Sequence, residues 1–526
     1  MGALFAGLDV STQSCKLVVI DLDSKEVVLV DSVNYDQDLP QYNTFNGVLK
    51  DQPEGVSESN PHMWIDAVNM VFQRLKASKI NQAQIKCISV SGQQHGLVAL
   101  DERGELTRPT SKLWNDFSTL EECEILTEKV DGHQTMIEEV GNTQRTGYTA
   151  SKIFHMYRHE LERYNKTTTF FLVHNYINFY LTGGIRVMEP GDTSGMALWH
   201  PAKQQWSKKV IEAIDPHLIE KLPPVKPADQ TIGNIAPHLA EKFGFDPACK
   251  IDAGSGDNMY GAIGTGNVQP GIVTISLGTS GTAYSFMEQP FIDPEGEIAA
   301  FCDATGHHLP LLCVSNLANG YNLFLKQFNL SHQQFNELLQ KTAPGNNGRL
   351  LIPWYSGERT PDLPQAAPLY FGFALSDFTL EILARAVLEG AVLNLYDGFQ
   401  RLPIKTTQIR VTGGLSQSDV WLQAIADIFE AETLLVKGEG AALGAAIHAA
   451  WVWLKENGRP VELKKLTDQF VELDESRFKK PIQQNVEIYR LQKQLFHALS
   501  RRLRNLPADD PFQLRQRIVK KLRDFG

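Results

Sequence analysis

A carboxylate between glycines is the residue of this chain best suited to general-base chemistry. Asp257 stands in the segment AGSGDN at positions 253–258, and further small residues follow it. Glycines let a ligand approach the backbone closely, and an aspartate there can accept the proton of an attacking hydroxyl group. An aspartate before a helix is also a preferred N-cap, so the residues alone leave a structural role open.

Two turns of small and hydroxyl-bearing residues can bind phosphate through backbone N–H groups. The first turn follows Asp9 and contains the polar residues Ser11, Thr12, Gln13 and Lys16. The second turn, at 276–281, contains Gly278 and Thr279. Neither is a Walker P-loop, and each taken singly fits an ordinary hairpin. Their recurrence about half a chain apart favours a nucleotide held by two related lobes.

Asp9 ends the first apolar run of the chain. A carboxylate in that position can hold a water molecule of a hydrated Mg²⁺ ion, which keeps most of its water shell in proteins. An Asx-turn that shapes the hairpin is the alternative, and the residue type favours neither.

Gln94 and His95 lie in the segment GQQHG at 92–96, directly after a predicted strand. Open α/β sheets bind ligands beyond the carboxyl ends of their strands, and both side chains can hydrogen-bond to sugar hydroxyls. Trp114 offers an aromatic face of the kind that lines carbohydrate sites. A structural histidine and a core tryptophan are the alternatives that the sequence leaves open.

The glycine pair Gly413-Gly414 separates a predicted strand from a predicted helix. Without side chains, the backbone there can lie flat against an adenine ring. The pair is therefore the candidate adenosine segment.

The elements that must position these residues occur in the same order in both halves. Each half opens with a β-hairpin whose tip carries a candidate phosphate turn, and continues with alternating helices and strands. The first half has predicted strands at 3–7, 17–21 and 85–90 and a helix at 64–76. The second half has predicted strands at 272–275, 282–286 and 409–412 and helices at 380–391 and 421–428. A repeat at half-length indicates duplicated α/β lobes rather than a solenoid.

The predicted domains are an N-terminal lobe at 1–249, a C-terminal lobe at 250–460 and a charged helical extension at 461–526. The lobe boundary follows the proline-rich stretch 223–227. The glycine-rich composition of the second lobe gives way to charged sequence near Gly458.

The charge balance restricts the partners. The 50 basic and 61 acidic side chains give a formal net charge of -11, which disfavours nucleic acid and anionic membranes and favours a small molecule. The six cysteines lack the spacing of a zinc site, and no segment is long and apolar enough to span a membrane without charges. We therefore expect a cytoplasmic protein with reduced thiols.

Taken together and in this order, the motifs between residues 4 and 450 resemble those of the FGGY carbohydrate kinases, and within that family the xylulose kinases. The combination is far more specific than any one motif. The resemblance implies two ribonuclease-H-like lobes, the actin and heat-shock ATPase architecture, around a central cleft that holds the active site.

The resemblance also implies a role for each candidate. Asp257 is then the catalytic base, Asn258 a neighbouring sugar contact, and Asp9 a magnesium contact through water. The other implied sugar-binding residues are Gln94, His95 and Trp114. The implied nucleotide-binding residues are Ser11, Thr12, Gln13, Lys16, Gly278, Thr279, Gly413, Gly414 and Ser418. The segment GERTP at 357–361 matches a further family signature.

The implied reaction transfers the γ-phosphoryl group of Mg-ATP to a ketopentose, first of all D-xylulose, to give D-xylulose 5-phosphate. Asn258 favours a ketopentose, because glycerol kinases of the family usually carry glutamine there. Ribulose, another ketose or a polyol is the alternative substrate, and an actin-like ATPase acting on a protein partner is the alternative function. A homodimer is left open.

Two residues depart from the family pattern. Ser11 stands where the first phosphate turn usually has glycine, and Leu415 stands where a third glycine commonly follows Gly413 and Gly414. We expect Ser11 to narrow the freedom of the turn and Leu415 to change the adenine contact or the nucleotide preference.

Overall fold

A computed structural model describes residues 2–438 and 440–525, and Met1, Glu439 and Gly526 lie outside the described residues. The strands are β1 (Leu4–Val10), β2 (Ser14–Asp21), β3 (Glu26–Asn34), β4 (Thr44–Phe45), β5 (Val48–Leu49), β6 (Glu58–Ser59), β7 (Ile85–Gly92), β8 (Val98–Leu100), β9 (Ser111–Lys112), β10 (Thr169–Phe171), β11 (Trp199–His200), β12 (Gln205–Trp206), β13 (Thr231–Asn234), β14 (Lys250–Asp252), β15 (Ser255–Gly256), β16 (Ile272–Leu277), β17 (Gly281–Ser285), β18 (Ala299–Cys302), β19 (His308–Val314), β20 (Leu350–Ile352), β21 (Leu369–Phe371), β22 (Gln408–Thr412), β23 (Glu432–Lys437) and β24 (Glu472–Lys479).

The α-helices are α1 (Tyr35–Asp38), α2 (Pro61–Ala77), α3 (Leu120–Lys129), α4 (His133–Val140), α5 (Thr149–His159), α6 (Leu161–Lys166), α7 (Val173–Thr182), α8 (Pro190–Thr193), α9 (Lys208–Ile214), α10 (Pro237–Phe243), α11 (Asp257–Gly264), α12 (Ala318–Phe328), α13 (His332–Leu339), α14 (Leu380–Phe399), α15 (Asp419–Phe429), α16 (Gly440–Glu456), α17 (Leu463–Phe470), α18 (Gln483–Leu503) and α19 (Pro511–Phe525). Within the described residues, none of these helices combines the length and apolar character needed to cross a bilayer.

The chain forms two compact units, each discontinuous in sequence. Unit 1 consists of Met1–Val268, Phe286–Pro310 and Gly438–Glu472. Unit 2 consists of Gln269–Ser285, Leu311–Lys437 and Leu473–Gly526.

The main sheet of unit 1 has the strand order β13-β14-β7-β1-β2-β3, and β15 also pairs with β7. Strands β1, β2 and β3 are antiparallel neighbours, whereas β7 is parallel to β1, β14 and β15. Helix α2 packs on the sheet because its apolar residues recur at helical spacing and are buried, among them Trp64, Val68, Val71 and Phe72. The predicted first hairpin, helix and strand of this half are confirmed.

Glycines let two helices of unit 1 pack directly on the sheet and on each other. A Cβ atom at Gly7 of β1 would overlap the carbonyl oxygen of Ala442 in α16, and one at Gly444 of α16 would overlap that of Tyr260 in α11. Such approaches are possible only without a side chain. Helix α11, which begins at Asp257, is therefore held against α16 by backbone contact.

Unit 2 repeats the arrangement, with strands in the order β19-β17-β16-β22-β23-β24. Strands β19, β17 and β16 are antiparallel neighbours, and β16, β22 and β23 are parallel. Helices α14 and α15 bury the apolar residues that predicted them, except Leu380 and Leu383 in the first turn of α14, which are half-buried. Each unit thus has the mixed sheet of a ribonuclease-H-like lobe, and the predicted α/β class is confirmed.

The fold differs from the expected domain organisation at 250–268. Strand β14 pairs with β7, and β15 continues along the same neighbour, so this segment extends the sheet of unit 1 instead of opening the second lobe. Helix α16 also belongs to unit 1, because its glycines and alanines pack on β1 and α11.

The C-terminal extension is not wholly helical. Residues 472–479 form β24, which lies beside β23 at the end of the unit 2 sheet. Its sequence, ELDESRFK, lacks the apolar alternation that predicts a strand, and an edge strand does not need it. The following helix α18 is integral to unit 2, where the Tyr489 hydroxyl donates to Glu389 of α14 at 2.9 Å.

Candidate active site

The carboxyl ends of three neighbouring strands bring the main candidates of unit 1 together. Asp9 near the end of β1 is the register partner of Ser91 on β7, and β7 pairs in parallel with β15. Gln94 follows the end of β7, and Asp257 follows the end of β15. Parallel strands present these ends at one edge of a sheet, which is where α/β proteins bind ligands.

Asp9 is a partly exposed carboxylate held by its strand neighbour. Its Oδ1 accepts a hydrogen bond of 2.7 Å from the Ser91 hydroxyl. Burial raises the pKa of Asp9 to about 6, although the Ser91 hydrogen bond and the charge of Lys16 oppose the rise. The carboxylate is charged near neutral pH and can accept hydrogen bonds from metal-bound water.

Asp257 is the first residue of α11, and the N-cap position belongs to Gly256 without a side-chain cap. The N-cap role considered from the sequence is therefore not the one its side chain has. Burial raises the pKa of Asp257 to about 8, with further contributions from the nearby carboxylates of Asp9 and Asp192. Backbone N–H groups at the start of α11 limit the rise.

This raised pKa predicts that Asp257 lowers the stability of the ligand-free protein at alkaline pH. A carboxyl group whose pKa is higher when folded contributes stability that is complete below its ordinary value of 3.8 and is lost as the pH rises toward 8. Asp257→Asn cannot ionise and escapes that loss. We expect the variant to be more stable than wild type by at least about 1.4 kcal/mol at pH 8, the equivalent of one pKa unit. Urea unfolding at pH 5 and pH 8 measures it; an advantage that does not grow with pH would contradict the prediction.

A hydrogen-bonded pair joins the sugar candidates to Asp257. The Asn258 amide nitrogen donates to Gln94 Oε1 at 2.7 Å and to Asp257 Oδ1 at 3.2 Å. Gln94 is buried, whereas Asn258 and Asp257 are partly exposed. The structure therefore brings Gln94, Asn258 and Asp257 together, as the sequence predicts.

His95 is buried beside them in a constrained conformation. Its φ is 65°, in the left-handed region that few side chains adopt, and its ring packs edge-on against Tyr148 with centroids 4.9 Å apart. Its backbone carbonyl accepts hydrogen bonds from Lys152 Nζ at 2.8 Å and from the Thr149 hydroxyl at 3.2 Å. Burial lowers the pKa of Lys152 to about 7. Two residues of α5 thus hold the backbone of the His95 loop in place.

The first turn is linked to Trp114. The Thr12 hydroxyl donates to Gln93 Oε1 at 3.2 Å and accepts from the Trp114 indole nitrogen at 3.0 Å. The indole remains 41% exposed, so its ring can contact a ligand. Ser11 lies outside the left-handed region and donates its N–H to the Ser14 carbonyl at 3.0 Å, so serine fits this turn without backbone strain. Gln13 is exposed at the tip.

In unit 2 the second turn and the glycine pair lie at the ends of neighbouring parallel strands. Ser276 on β16 is the register partner of Thr412 on β22, so Gly278 and Gly413 follow adjacent strand ends. A Cβ atom at Gly413 would lie 2.8 Å from backbone atoms of Leu277, whereas one at Gly414 would meet nothing within 4 Å. Gly414 therefore borders open space.

The remaining nucleotide candidates of unit 2 differ in exposure. Thr279 is exposed at the turn, and Ser418 precedes α15 with its hydroxyl 3.5 Å from Asn336 Oδ1. Leu415 is 8% exposed, so its side chain packs into unit 2 instead of extending over the glycine pair.

Sequence reasoning did not identify the groups that surround these candidates. Ser91 binds Asp9, Asp192 lies 3.5 Å from Gln94, and Lys152 holds the carbonyl of His95. The turn signal Pro190-Gly191 was the only local hint of Asp192, and nothing in a helical pattern tells a buried lysine from a solvated one.

The fold and the clustered carboxylates, amides and phosphate-type turns are those of a sugar-phosphorylating enzyme with duplicated lobes. The model of the FGGY family of carbohydrate kinases, N-terminal domain, matches residues 4–264, and that of the C-terminal domain matches residues 273–453. The chain belongs to this family and is a carbohydrate kinase, for which ATP is the co-substrate.

Individual relatives agree. A xylulose kinase of Haemophilus influenzae is 37% identical over 486 residues, which cover 90% of this chain and 94% of the relative. The crystal structure of xylulose kinase from Bifidobacterium adolescentis has a TM-score of 0.79 at 26% identity and covers 94% of this chain and 99% of that chain. A gluconate kinase from Lactobacillus acidophilus has a TM-score of 0.84 at 22% identity, covers 96% and 98%, and shows the fold alone.

Proposed function

We propose that this chain transfers the γ-phosphoryl group of ATP to O5 of D-xylulose, forming D-xylulose 5-phosphate and ADP. The observation that carries the proposal is the hydrogen-bonded pair of Gln94 and Asn258 next to Asp257. It places amide groups suited to sugar hydroxyls beside a carboxylate suited to proton abstraction. The Haemophilus influenzae relative, a xylulose kinase, supports the choice of sugar.

Asp257 acts as the general base in this proposal. It orients the primary hydroxyl and accepts its proton as the oxygen attacks phosphorus. A pKa of about 8 in the ligand-free protein is close to neutral pH, which is the range where a general base is most effective. Phosphoryl transfer needs little other covalent work from the protein, so positioning and charge neutralisation supply most of the acceleration.

Gln94, His95, Trp114 and Asn258 bind the sugar in this proposal. The buried His95 ring and its fixed loop provide a rigid contact, and the exposed face of Trp114 provides an apolar one. Rigid contacts reduce the entropy that is lost when the sugar is ordered.

In unit 1, the first turn offers backbone N–H groups and hydroxyls to phosphate. In unit 2, the second turn offers the same kinds of group and the glycine pair suits an adenosine. Thr12 and Thr279 contact phosphate, and Gly413 and Gly414 lie against the adenosine. Asp9 suits a water-mediated magnesium contact, because Ser91 holds one carboxylate oxygen at a partly exposed strand end. Magnesium, when bound, neutralises charge on the ATP phosphates.

An ADP-release assay across xylulose, ribulose, fructose, gluconate, glycerol and erythritol tests the proposed function. We expect kcat/KM for D-xylulose to exceed that for every other sugar by at least tenfold. A higher kcat/KM for another sugar would replace the substrate, and equal ADP release without any sugar would replace the reaction with ATP hydrolysis.

We also propose a cytoplasmic location, supported by six cysteines without disulfides, five of them buried. The homodimer stays a prediction, and sedimentation equilibrium measures it.

A further inference from the structure

A chain of buried hydrogen bonds in unit 1 leads from a backbone N–H group toward Asp192. The N–H of Leu172 lies 3.3 Å from Asn175 Oδ1, so the Asn175 oxygen faces this donor. The Asn175 nitrogen then faces His174 Nε2 at 2.7 Å, and His174 Nδ1 lies 3.1 Å from Asp192 Oδ2. Because a backbone N–H can only donate, Nε2 of His174 accepts and Nδ1 donates to Asp192.

The same direction continues on the other side of Asp192. Gln94 Nε2 lies 3.5 Å from Asp192 Oδ1, and Gln94 Oε1 accepts from the Asn258 nitrogen at 2.7 Å. Amide nitrogen and oxygen are told apart by their partners, and the nitrogen is the amide atom that donates to a carboxylate oxygen. Asp192 therefore turns the Gln94 nitrogen toward itself and the Gln94 oxygen toward Asn258.

The donor-to-acceptor direction of these hydrogen bonds decides which atom of the Asn258 amide remains for a ligand. Its nitrogen is used by Gln94 and Asp257, at 2.7 and 3.2 Å. In the described residues no side-chain or backbone donor occupies its oxygen. Asn258 is partly exposed and therefore presents an acceptor to a hydroxyl group.

The two carboxylate oxygens of Asp192 face one buried side chain each, Gln94 and His174. Asp192 is fully buried on the short helix α8, and its carboxylate is aimed at Gln94 and His174. A Cβ atom at Gly256 would lie 2.8 Å from Gln94 Cγ and 3.2 Å from Asp192 Cγ, so glycine is needed there for both side chains to fit. Burying a carboxylate is costly unless it is paired and hydrogen-bonded, so the contacts with Gln94 and His174 offset the cost of burying Asp192.

We propose that Asp192 is a positioning residue that fixes the hydrogen-bond direction of Gln94 and Asn258, so that Asn258 presents its amide oxygen to a sugar hydroxyl that donates. The inference rests on the proposed function, because it concerns the sugar contact of the same site. It goes beyond that function by assigning Asp192 and the polarity of the contact.

Asp192→Asn is the direct test, because asparagine has the same shape but replaces one acceptor oxygen of the carboxylate with a donating NH2 group. Two donors face this side chain, Gln94 Nε2 and His174 Nδ1. The asparagine oxygen accepts from one of them, and the asparagine nitrogen then faces the other donor without forming a hydrogen bond. When Gln94 rotates to relieve this, its nitrogen faces the Asn258 nitrogen and Asn258 rotates in turn. We expect D-xylulose to bind at least tenfold more weakly by calorimetry, while KM for ATP stays within twofold of wild type.

Asp252→Asn is the matched control. It removes another fully buried carboxylate of unit 1 that pairs with a histidine, His448 Nδ1, at 2.8 Å, but has no contact with Gln94. We expect its dissociation constant for D-xylulose to stay within threefold of wild type. The proposal is overturned when Asp192→Asn changes sugar affinity by less than threefold, or when both variants weaken it equally.

A measurement on the wild-type protein covers the case in which Asp192→Asn does not fold. Fluorine cannot donate a hydrogen bond, so an Asn258 oxygen gains nothing from it. At the carbon whose deoxy analogue binds most weakly, C3 or C4, we expect the deoxyfluoro analogue of D-xylulose to bind as weakly as the deoxy analogue. Recovery of most of the affinity by fluorine would overturn the proposal.

Failure of the proposed function is separate from failure of this inference. Absence of D-xylulose phosphorylation by the wild-type enzyme rejects the substrate. The comparison of Asp192→Asn with Asp252→Asn is then made with the sugar that the ADP-release assay identifies. That comparison tests whether Asn258 presents its amide oxygen to the sugar.

Discussion

Asp257→Asn is expected to lower kcat by about 10²- to 10⁴-fold, the range that a general base contributes. Asparagine keeps the size of the side chain and the contacts at the start of α11 but cannot accept the sugar proton. Binding of D-xylulose should persist within about threefold, because Gln94, His95 and Asn258 are unchanged. The ADP-release assay gives kcat, and calorimetry gives the affinity.

Asp427→Asn is the matched control for that experiment. Asp427 of unit 2 is a buried carboxylate whose pKa, like that of Asp257, is raised by burial, and it accepts the backbone N–H of Ile482 at 2.8 Å. Its loss should affect stability without removing a base, so kcat should stay within threefold. A kcat for Asp257→Asn that is also within threefold of wild type would reject the base assignment.

Gly413→Ala is expected to lower the stability of unit 2, whereas Gly414→Ala is expected to change only the affinity for the nucleotide. Gly413 has φ 90° and no room for a Cβ atom beside the Leu277 backbone. The left-handed conformation alone costs a non-glycine residue about 1–3 kcal/mol, and the contact with Leu277 adds to this. We expect Gly413→Ala to lower Tm and to raise KM for ATP by at least roughly tenfold, about 1.4 kcal/mol.

The neighbouring glycine separates stability from binding. Gly414 lies outside the left-handed region, and a Cβ atom there meets no protein atom within 4 Å. Gly414→Ala should therefore leave Tm within about 1 °C of wild type and raise KM for ATP, since the added methyl group occupies the space assigned to adenosine. The two variants are compared by thermal unfolding and by ATP titration at saturating D-xylulose. Equal Tm values for both variants would contradict the strain argument, and an unchanged KM for Gly414→Ala would contradict the adenosine assignment.

The presence or absence of a local sequence signal explains why the sequence predicts Asp9 and Asp257 as site residues but does not predict Asp192. Asp9 ends an apolar run before hydroxyl residues, and Asp257 stands among glycines and a serine, so each has a local signal. Asp192 lies in a short turn without such a signal, and its two partners stand 98 and 18 positions away in sequence. No local pattern encodes a hydrogen bond of that span, so only packing identifies it.

The same reason applies to two segments whose strand pairing is not marked in the sequence. The boundary predicted after the proline-rich stretch 223–227 assigns residues 250–268 to the second lobe, but β14 and β15 complete the sheet begun by β1 and β7. The charged sequence of β24 predicts helix, because it has no apolar alternation that would indicate pairing with β23. Sheet order depends on which distant strand a segment meets, and a single sequence records only the segment's own preference.

The sequence by itself determined the α/β class, the duplicated hairpins with their turns, and the candidate groups for contacts with sugar, phosphate and a transferred proton. These properties depend on local periodicity and residue type. Only the tertiary structure decided that Asp257 begins a helix of unit 1 and that Ser91 and Asp192 surround the candidates. It also decided which atom Asn258 offers to a sugar, because hydrogen-bond direction is set by partners that only the folded chain brings together.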